Sequence, residues 1–184
     1  MKRLFIAADI SEEARRLASE TIGRLRSRHS GKGISWSKPE NLHITIKFLG
    51  STGPEREAEL IGSLTRIAAS ASPFRLHLEK PELLGRRVIS IAVQSDSKTV
   101  FALEMAIDTE CERLGFEREG HRFHPHLTLG RIRRPGGTRE LTIQFLQTQV
   151  EPLSFDVREI VLYESELGPG GSVYKVIEKF PLND

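Results

Sequence analysis

Two apolar rhythms alternate along the chain, one with the spacing of a helix and one with the period of two of a strand. The run from Leu4 to Ala8 predicts a short buried strand. Ala14, Leu17, Ala18, Thr21, Ile22 and Leu25 then recur at helical spacing and predict a helix over about 11–28. Ser11 is its N-cap, and Glu12 and Glu13 at its start with Arg24, Arg26 and Arg28 near its end suit the macrodipole. Gly31 and Gly33 stop it, and an extended path over Ile34–Ser37 leads into a strand over about 41–49. Pro54 opens a second helix, about 54–70, with Leu60, Ile61, Leu64, Ile67 and Ala68 on its inner face. Phe74, Leu76 and Leu78 alternate with Arg75, His77 and Glu79 in a half-buried strand, Phe74–Leu84, which Gly85-Arg86 turns back onto Val88–Val93.

The order then begins again. A helix capped by Asp96 or Ser97 runs to about 114 on Val100, Leu103, Ile107, Cys111 and Leu114, and Gly115 closes it. A strand over about 122–132 follows, then a helix opened by Pro135-Gly136-Gly137-Thr138 and carried through Leu141, Phe145 and Thr148. Strands over about 153–164 and 173–180, joined by the turn-forming Leu167-Gly168-Pro169-Gly170-Gly171, end the chain. Residues 3–85 and 88–164 thus share one order: strand, helix, strand, helix, strand. The expectation is an α+β fold formed by a single internal duplication, not a solenoid. It is one bilobal domain over 1–184, with two pseudo-symmetric lobes, each an antiparallel sheet with two helices, around a central cleft.

Composition narrows this little. With 38% hydrophobic and 28% charged residues the chain is ordinary for a globular protein, and a net charge of +2 permits an anionic partner without requiring one. Cys111 is the only cysteine, so no intramolecular disulfide forms, and its place on a helix face assigns it to the core. Asp9 and Glu12-Glu13 cut short the apolar start that resembles a signal peptide, and no apolar run reaches the ~18 residues of a membrane span. A cytoplasmic monomer is expected.

The chemistry lies in a repeated motif. His43-Ile44-Thr45-Ile46 returns as His126-Leu127-Thr128-Leu129, 83 residues later. As strands, both copies turn His and Thr to one face, roughly 6.5–7 Å apart, and bury the apolar pair on the other. Two copies across a cleft would surround a phosphate. One neutral imidazole would take a proton from water and the other, protonated, would give one to a departing oxygen, with Thr45 and Thr128 hydroxyls and the Arg131 fork on the phosphate oxygens. Either copy alone would read as a structural histidine; recurrence argues for the site. The cluster His121, His124 and His126 offers metal binding as a rival, but no acidic residue lies between Gly120 and Glu140 and no His-Glu-x-x-His occurs, so neither metal nor cofactor is expected.

Other candidates have plainer readings. Lys47 shares the motif face and is expected as a solvated strand-end lysine; His29 and His77 are expected at the surface. Trp36 and Phe48 offer stacking surfaces for a base, although core packing is the default for Phe48. Arg24, Arg26, Arg28, Lys32 and Lys38, with Arg131-Ile132-Arg133-Arg134, form basic series able to track a phosphate backbone.

These residues resemble the 2H phosphoesterase superfamily, and within it the RNA 2',3'-cyclic phosphodiesterase branch, also called 2',5' RNA ligases. Asn41-Leu42-His43-Ile44-Thr45-Ile46-Lys47-Phe48-Leu49-Gly50 is similar to that family's first motif and Phe123-His124-Pro125-His126-Leu127-Thr128-Leu129-Gly130-Arg131 to its second. Leu162-Tyr163-Glu164-Ser165-Glu166-Leu167, the glycine loop and Tyr174 form a third similarity. The resemblance implies metal-independent opening of a 2',3'-cyclic phosphate on RNA or a nucleotide to a 2'-phosphomonoester, with weak reversal to a 2',5' linkage. It also implies that His43 is the proton donor to the 3'-oxygen and His126 the acceptor from water. A non-catalytic module that binds RNA ends in the same cleft is the alternative.

Overall fold

The computed structural model describes residues 1–28, 33–134, 138–168 and 171–183. The expectations for His29, Gly31, Lys32, Pro135-Gly136-Gly137, Pro169 and Gly170 lie outside the described residues. The strands are β1 (Lys2–Asp9), β2 (Ile34–Trp36), β3 (His43–Thr52), β4 (Phe74–Leu84), β5 (Val88–Ser95), β6 (His126–Ile132), β7 (Leu153–Val157), β8 (Glu159–Gly168) and β9 (Gly171–Pro181). The helices are α1 (Glu12–Arg28), α2 (Pro54–Ala69), α3 (Thr99–Arg113) and α4 (Arg139–Leu146), and a 3₁₀ turn occupies Pro39–Asn41. Ser11 caps α1 as expected, its Oγ accepting from the Ala14 N–H at 3.1 Å.

All the pairings are antiparallel. The strands follow the order β7-β4-β5-β6-β3-β1-β8-β9, with β2 on β6. The motif strands β3 and β6 meet at the middle through one ladder pair, Ile44 with Leu127. On one side of this seam β3, β1, β8 and β9 are backed by α2 and α3 beside β3 and β9; on the other β6, β5, β4 and β7, with β2 on β6, are backed by α1 and α4 beside β4 and β7. Both halves therefore mix strands from the first and the second run of elements. β4, from the first run of elements, lies beside β5 of the second, and β8, from the second, lies beside β1 of the first.

Several expected boundaries change: α3 has Lys98 rather than Asp96 or Ser97 at its N-cap, β3 runs over His43–Thr52, and two further changes concern the later strands. The strand expected over 153–164 is two strands, because at Arg158 the chain leaves its pairing with β4 and crosses to β1 at the far side of the sheet. The strand expected from 122 begins only at His126, so His124 precedes the strand rather than sharing its face. The apolar halves of both motifs enter the core as expected, Ile44 at 1%, Ile46 at 4%, and Leu127 and Leu129 at 0% exposure. Burying four such side chains contributes roughly 1.5–3 kcal/mol each. Cys111 is fully buried in α3, and that burial pushes its thiol up to about 12, so it is held as an unreactive core thiol.

Candidate active site

Antiparallel pairing through Ile44 and Leu127 sets each motif histidine beside the other motif's threonine. The cavities follow this exchange. Thr45 and His126 line a cavity of about 550 Å³. His43 and Thr128 line a neighbouring one of about 170 Å³. Thr45, Phe48 and Arg131 line both and form the junction. The two motifs are thus brought together.

Both rings are oriented by the same device. The His43 Nδ1–H donates to the Asn41 carbonyl at 2.8 Å, and the His126 Nδ1–H donates to the His124 carbonyl at 2.8 Å. A carbonyl can only accept, so in the neutral rings Nε2 carries the lone pair in both. On His43 this atom accepts from the Thr45 hydroxyl at 3.0 Å. The segments that carry these carbonyls are themselves held. Arg15 of α1 donates to the Pro39 and Leu42 carbonyls at 2.5 and 3.2 Å, and Asn41 Nδ2 donates to the Ser172 carbonyl of β9 at 2.7 Å. On the other side His124 Nε2 lies 2.8 Å from Glu82 Oε2, and its ring stacks near that of His126, with centroids 6.2 Å apart.

An aromatic wall stands behind His43. Phe5 is 4.9 Å from its ring centroid, Tyr174 meets it edge-on at 5.3 Å, and Tyr163 stacks on Phe5 at 5.2 Å. The Tyr163 hydroxyl donates to Asp9 Oδ1 at 2.5 Å, and Asp9 pairs in register with His43. Burial pushes the His43 imidazole down to about 4, against the upward pull of the Asn41 carbonyl and Asp9, with His126 and Arg15 adding to the fall. His126 is also lowered, again by burial first, with the His124 carbonyl and Glu82 opposing. Burial thus favours the neutral form of both rings.

A β-bulge in each motif strand sorts the remaining candidates. On β3, Thr45 pairs with Ala7 and Lys47 with Ile6, so Ile46 is extra; on β6, Thr128 pairs with Ser90 and Gly130 with Ile89, so Leu129 is extra. An extra residue inverts the alternation beyond it. Phe48 and Arg131, each five residues past its histidine, therefore join the cleft face, and Lys47 leaves it. Two expectations are overturned for this reason. Lys47 is not a solvated lysine but is 1% exposed, and Phe48 is not in the core but 59% exposed at the junction. The Lys47 ammonium donates to Asp108 Oδ1 at 2.6 Å and to the Glu117 carbonyl at 2.9 Å.

Trp36 is half-buried on β2 beside Gly130, where a Cβ would fall 2.9 Å from the indole Cε3, and it lines the smaller cavity. His77 is also not a free surface residue, because it is half-buried with Nδ1 2.7 Å from Ser154 Oγ and Nε2 2.6 Å from Asp96. Of the basic series, Lys38, Arg131 and Arg133 line the cavities, whereas Arg24, Arg26 and Arg28 stand on α1 and line neither. Among the described residues no three His, Cys, Asp or Glu side chains converge as a metal site. No described helix is long and apolar enough to cross a membrane.

The site contains residues that the motifs alone do not single out. Phe5 lies in an unbroken apolar run, and Glu82 and Arg15 lie in strand and helix patterns where charge marks only exposure. Tyr163 and Tyr174 fall in the third similarity, which carries no chemistry of its own. Only their packing against His43 reveals their part.

Residues 13–169 match the family model of the 2'-5' RNA ligase superfamily. The chain belongs to this superfamily. An RNA 2',3'-cyclic phosphodiesterase of Methanocaldococcus jannaschii is 32% identical over 183 residues, 97% of this chain and 99% of the relative. One from Thermotoga maritima is 30% identical over 179 residues, 95% of this chain and 92% of the relative. Among solved structures, the protein TT0787 of Thermus thermophilus superposes with a TM-score of 0.80 at 27% identity, covering 98% of this chain and 97% of that one. E. coli LigT complexed with 3'-AMP gives 0.78 at 25% identity, covering 100% and 99%.

Proposed function

We propose that the protein hydrolyses the 2',3'-cyclic phosphate at an RNA end to a 2'-phosphomonoester by acid–base chemistry of His43 and His126, without a metal. The observation that carries this is the paired orientation of the rings: each Nδ1–H is tied to the carbonyl two residues upstream, which leaves two Nε2 atoms for one cleft. The names of the relatives and of the LigT complex with 3'-AMP support an RNA or nucleotide substrate. The phosphate lies at the junction, its oxygens taking donors from Thr45, Thr128 and Arg131, while Phe48 and Trp36 offer flat surfaces to the nucleotide.

His126 Nε2 removes a proton from water as the water oxygen bonds to phosphorus. The bond from phosphorus to the 3'-oxygen breaks in line, and that oxygen takes the proton from His43 Nε2–H, leaving a 3'-hydroxyl and the 2'-phosphate. His43 must enter this step as the imidazolium, and it is the negative charge of the substrate that opposes the downward pull of burial. A 5'-hydroxyl in place of water gives the reverse outcome, a 2',5' linkage between RNA ends.

Alanine at either histidine tests the pairing. His43→Ala and His126→Ala are each expected to lower kcat by about 10²–10⁴-fold, and the wild type to show a bell-shaped dependence on pH. Steady-state kinetics on an RNA ending in a cyclic phosphate read both, and full activity in either variant contradicts the assignment. Binding of such RNA without any turnover would favour the binding-module alternative instead.

A further inference from the structure

We propose that the smaller cavity, on the His43 side, binds the phosphodiester immediately 5' to the cyclic phosphate, so that the enzyme selects an RNA end over a mononucleoside cyclic phosphate. This rests on the cyclic-phosphate reading above and adds the substrate class. The two cavities differ in size and in charge. At about 550 Å³ the larger lies within the usual range of small-molecule sites, with Phe48, Leu84 and Phe123 in its lining and charges of both signs, Glu104 and Glu119 beside Lys47, Arg122 and Arg131. At about 170 Å³ the smaller is below that range, and among the described residues its charged lining is wholly basic: Lys38, Arg131 and Arg133. Among the described residues none of these three cations has an ion-pair partner, whereas Arg66, Arg75, Arg113 and Arg118 elsewhere do. This charge fits a phosphate group.

The cations stand on pinned backbone. The Ser37 N–H donates to the Leu129 carbonyl and its hydroxyl to the Thr128 carbonyl, both at 2.8 Å, which fixes the segment carrying Lys38 against the motif strand. The Arg133 N–H donates to the Gly33 carbonyl at 2.7 Å. Ribose connectivity supplies the direction. From the 3'-oxygen the chain runs through C3', C4' and C5' to the 5'-phosphate, whereas the base hangs from C1', beside C2'. A ribose whose 3'-oxygen faces His43 therefore sends its 5'-phosphate towards the His43 side and its base towards the larger cavity.

The test compares kcat/KM for three substrates: cytidine 2',3'-cyclic phosphate, the same nucleotide with a 5'-phosphate, and a dinucleotide ending in the same cyclic phosphate. The 5'-phosphorylated nucleotide and the dinucleotide are expected to exceed the plain one by about tenfold or more, the scale of a charge-assisted contact. In Lys38→Ala/Arg133→Ala that ratio is expected to fall to about one, and added salt is expected to reduce it in the wild type. Equal kcat/KM for all three in the wild type, or a ratio that survives the double substitution, overturns the subsite. A gain with the dinucleotide but none with the 5'-phosphate also overturns it, because the neighbouring base would then be the group recognised. No turnover of any of the three by the wild type overturns the cyclic-phosphate reading itself.

Discussion

His43 is held in a state opposite to the one its proposed role requires. Phe5, Tyr163 and Tyr174 exclude water from it, and burial lowers the imidazole from 6.5 to about 4. An unfolded chain binds that proton as pH falls through 6.5, while the native protein does not until about 4, so stability is full above 6.5 and is lost on acidification between these values. The loss is expected to reach roughly 3 kcal/mol, and chemical denaturation across this window should show a flatter pH dependence for His43→Gln than for the wild type. An unchanged slope would mean that His43 titrates normally in the native state. The motif made this histidine legible, because a His two residues before a Thr recurs with the same apolar neighbours. Its surroundings were not legible, since Phe5 reads only as one apolar residue in Leu4–Ala8.

The bulged motif strand decides which side chains reach the site. A strict period of two places Lys47 with His43 and Thr45; the extra residue at Ile46 sends it into the interior against Asp108 and brings Phe48 out. Burial raises the Asp108 carboxyl, but the Lys47 ammonium, the Glu119 N–H and Arg118 together hold it below its ordinary value. Lys47 thereby ties β3 to α3 and to the segment 117–119 that precedes the second motif. Lys47→Met is expected to destabilise by about 3–5 kcal/mol, because Asp108 loses its buried partner and keeps only the exposed Arg118, and Lys47→Met/Asp108→Leu to regain most of that loss. Denaturant midpoints of the single and double variants measure this, and additive losses would contradict it. Sequence periodicity identified both motif strands and their buried faces. It could not show the bulge of β3, which arises from pairing with β1 and has no glycine or proline within Thr45–Lys47, whereas on β6 Gly130 stands at the bulge.

At the scale of the whole molecule the cleft is a seam between two interlaced halves. The repeated order of elements is visible in the sequence, and so is one clue to the interlacing. The hairpin at Gly85-Arg86, whose residues have φ of 53° and 61°, joins the third strand of the first run to the first strand of the second. The return of β8 to β1 has no such local sign, because β7 and β8 read as one apolar run on either side of Arg158. Since the half holding β1 and β3 is completed only by β8 and β9 from the other end of the chain, and β2 of the first run pairs with β6 of the other half, near- and far-ultraviolet circular dichroism are expected to report one coincident unfolding transition, and separated transitions would show that the halves fold independently. The seam also unites the chemistry, with one histidine on each side and the threonines exchanged across Ile44 and Leu127. That two-histidine, metal-free site is the central claim, and turnover of an RNA 2',3'-cyclic phosphate in excess EDTA tests it most directly. The account predicts undiminished hydrolysis with a 2'-phosphomonoester in the phosphorus NMR spectrum; activity that vanishes in EDTA and returns only with added metal would contradict it.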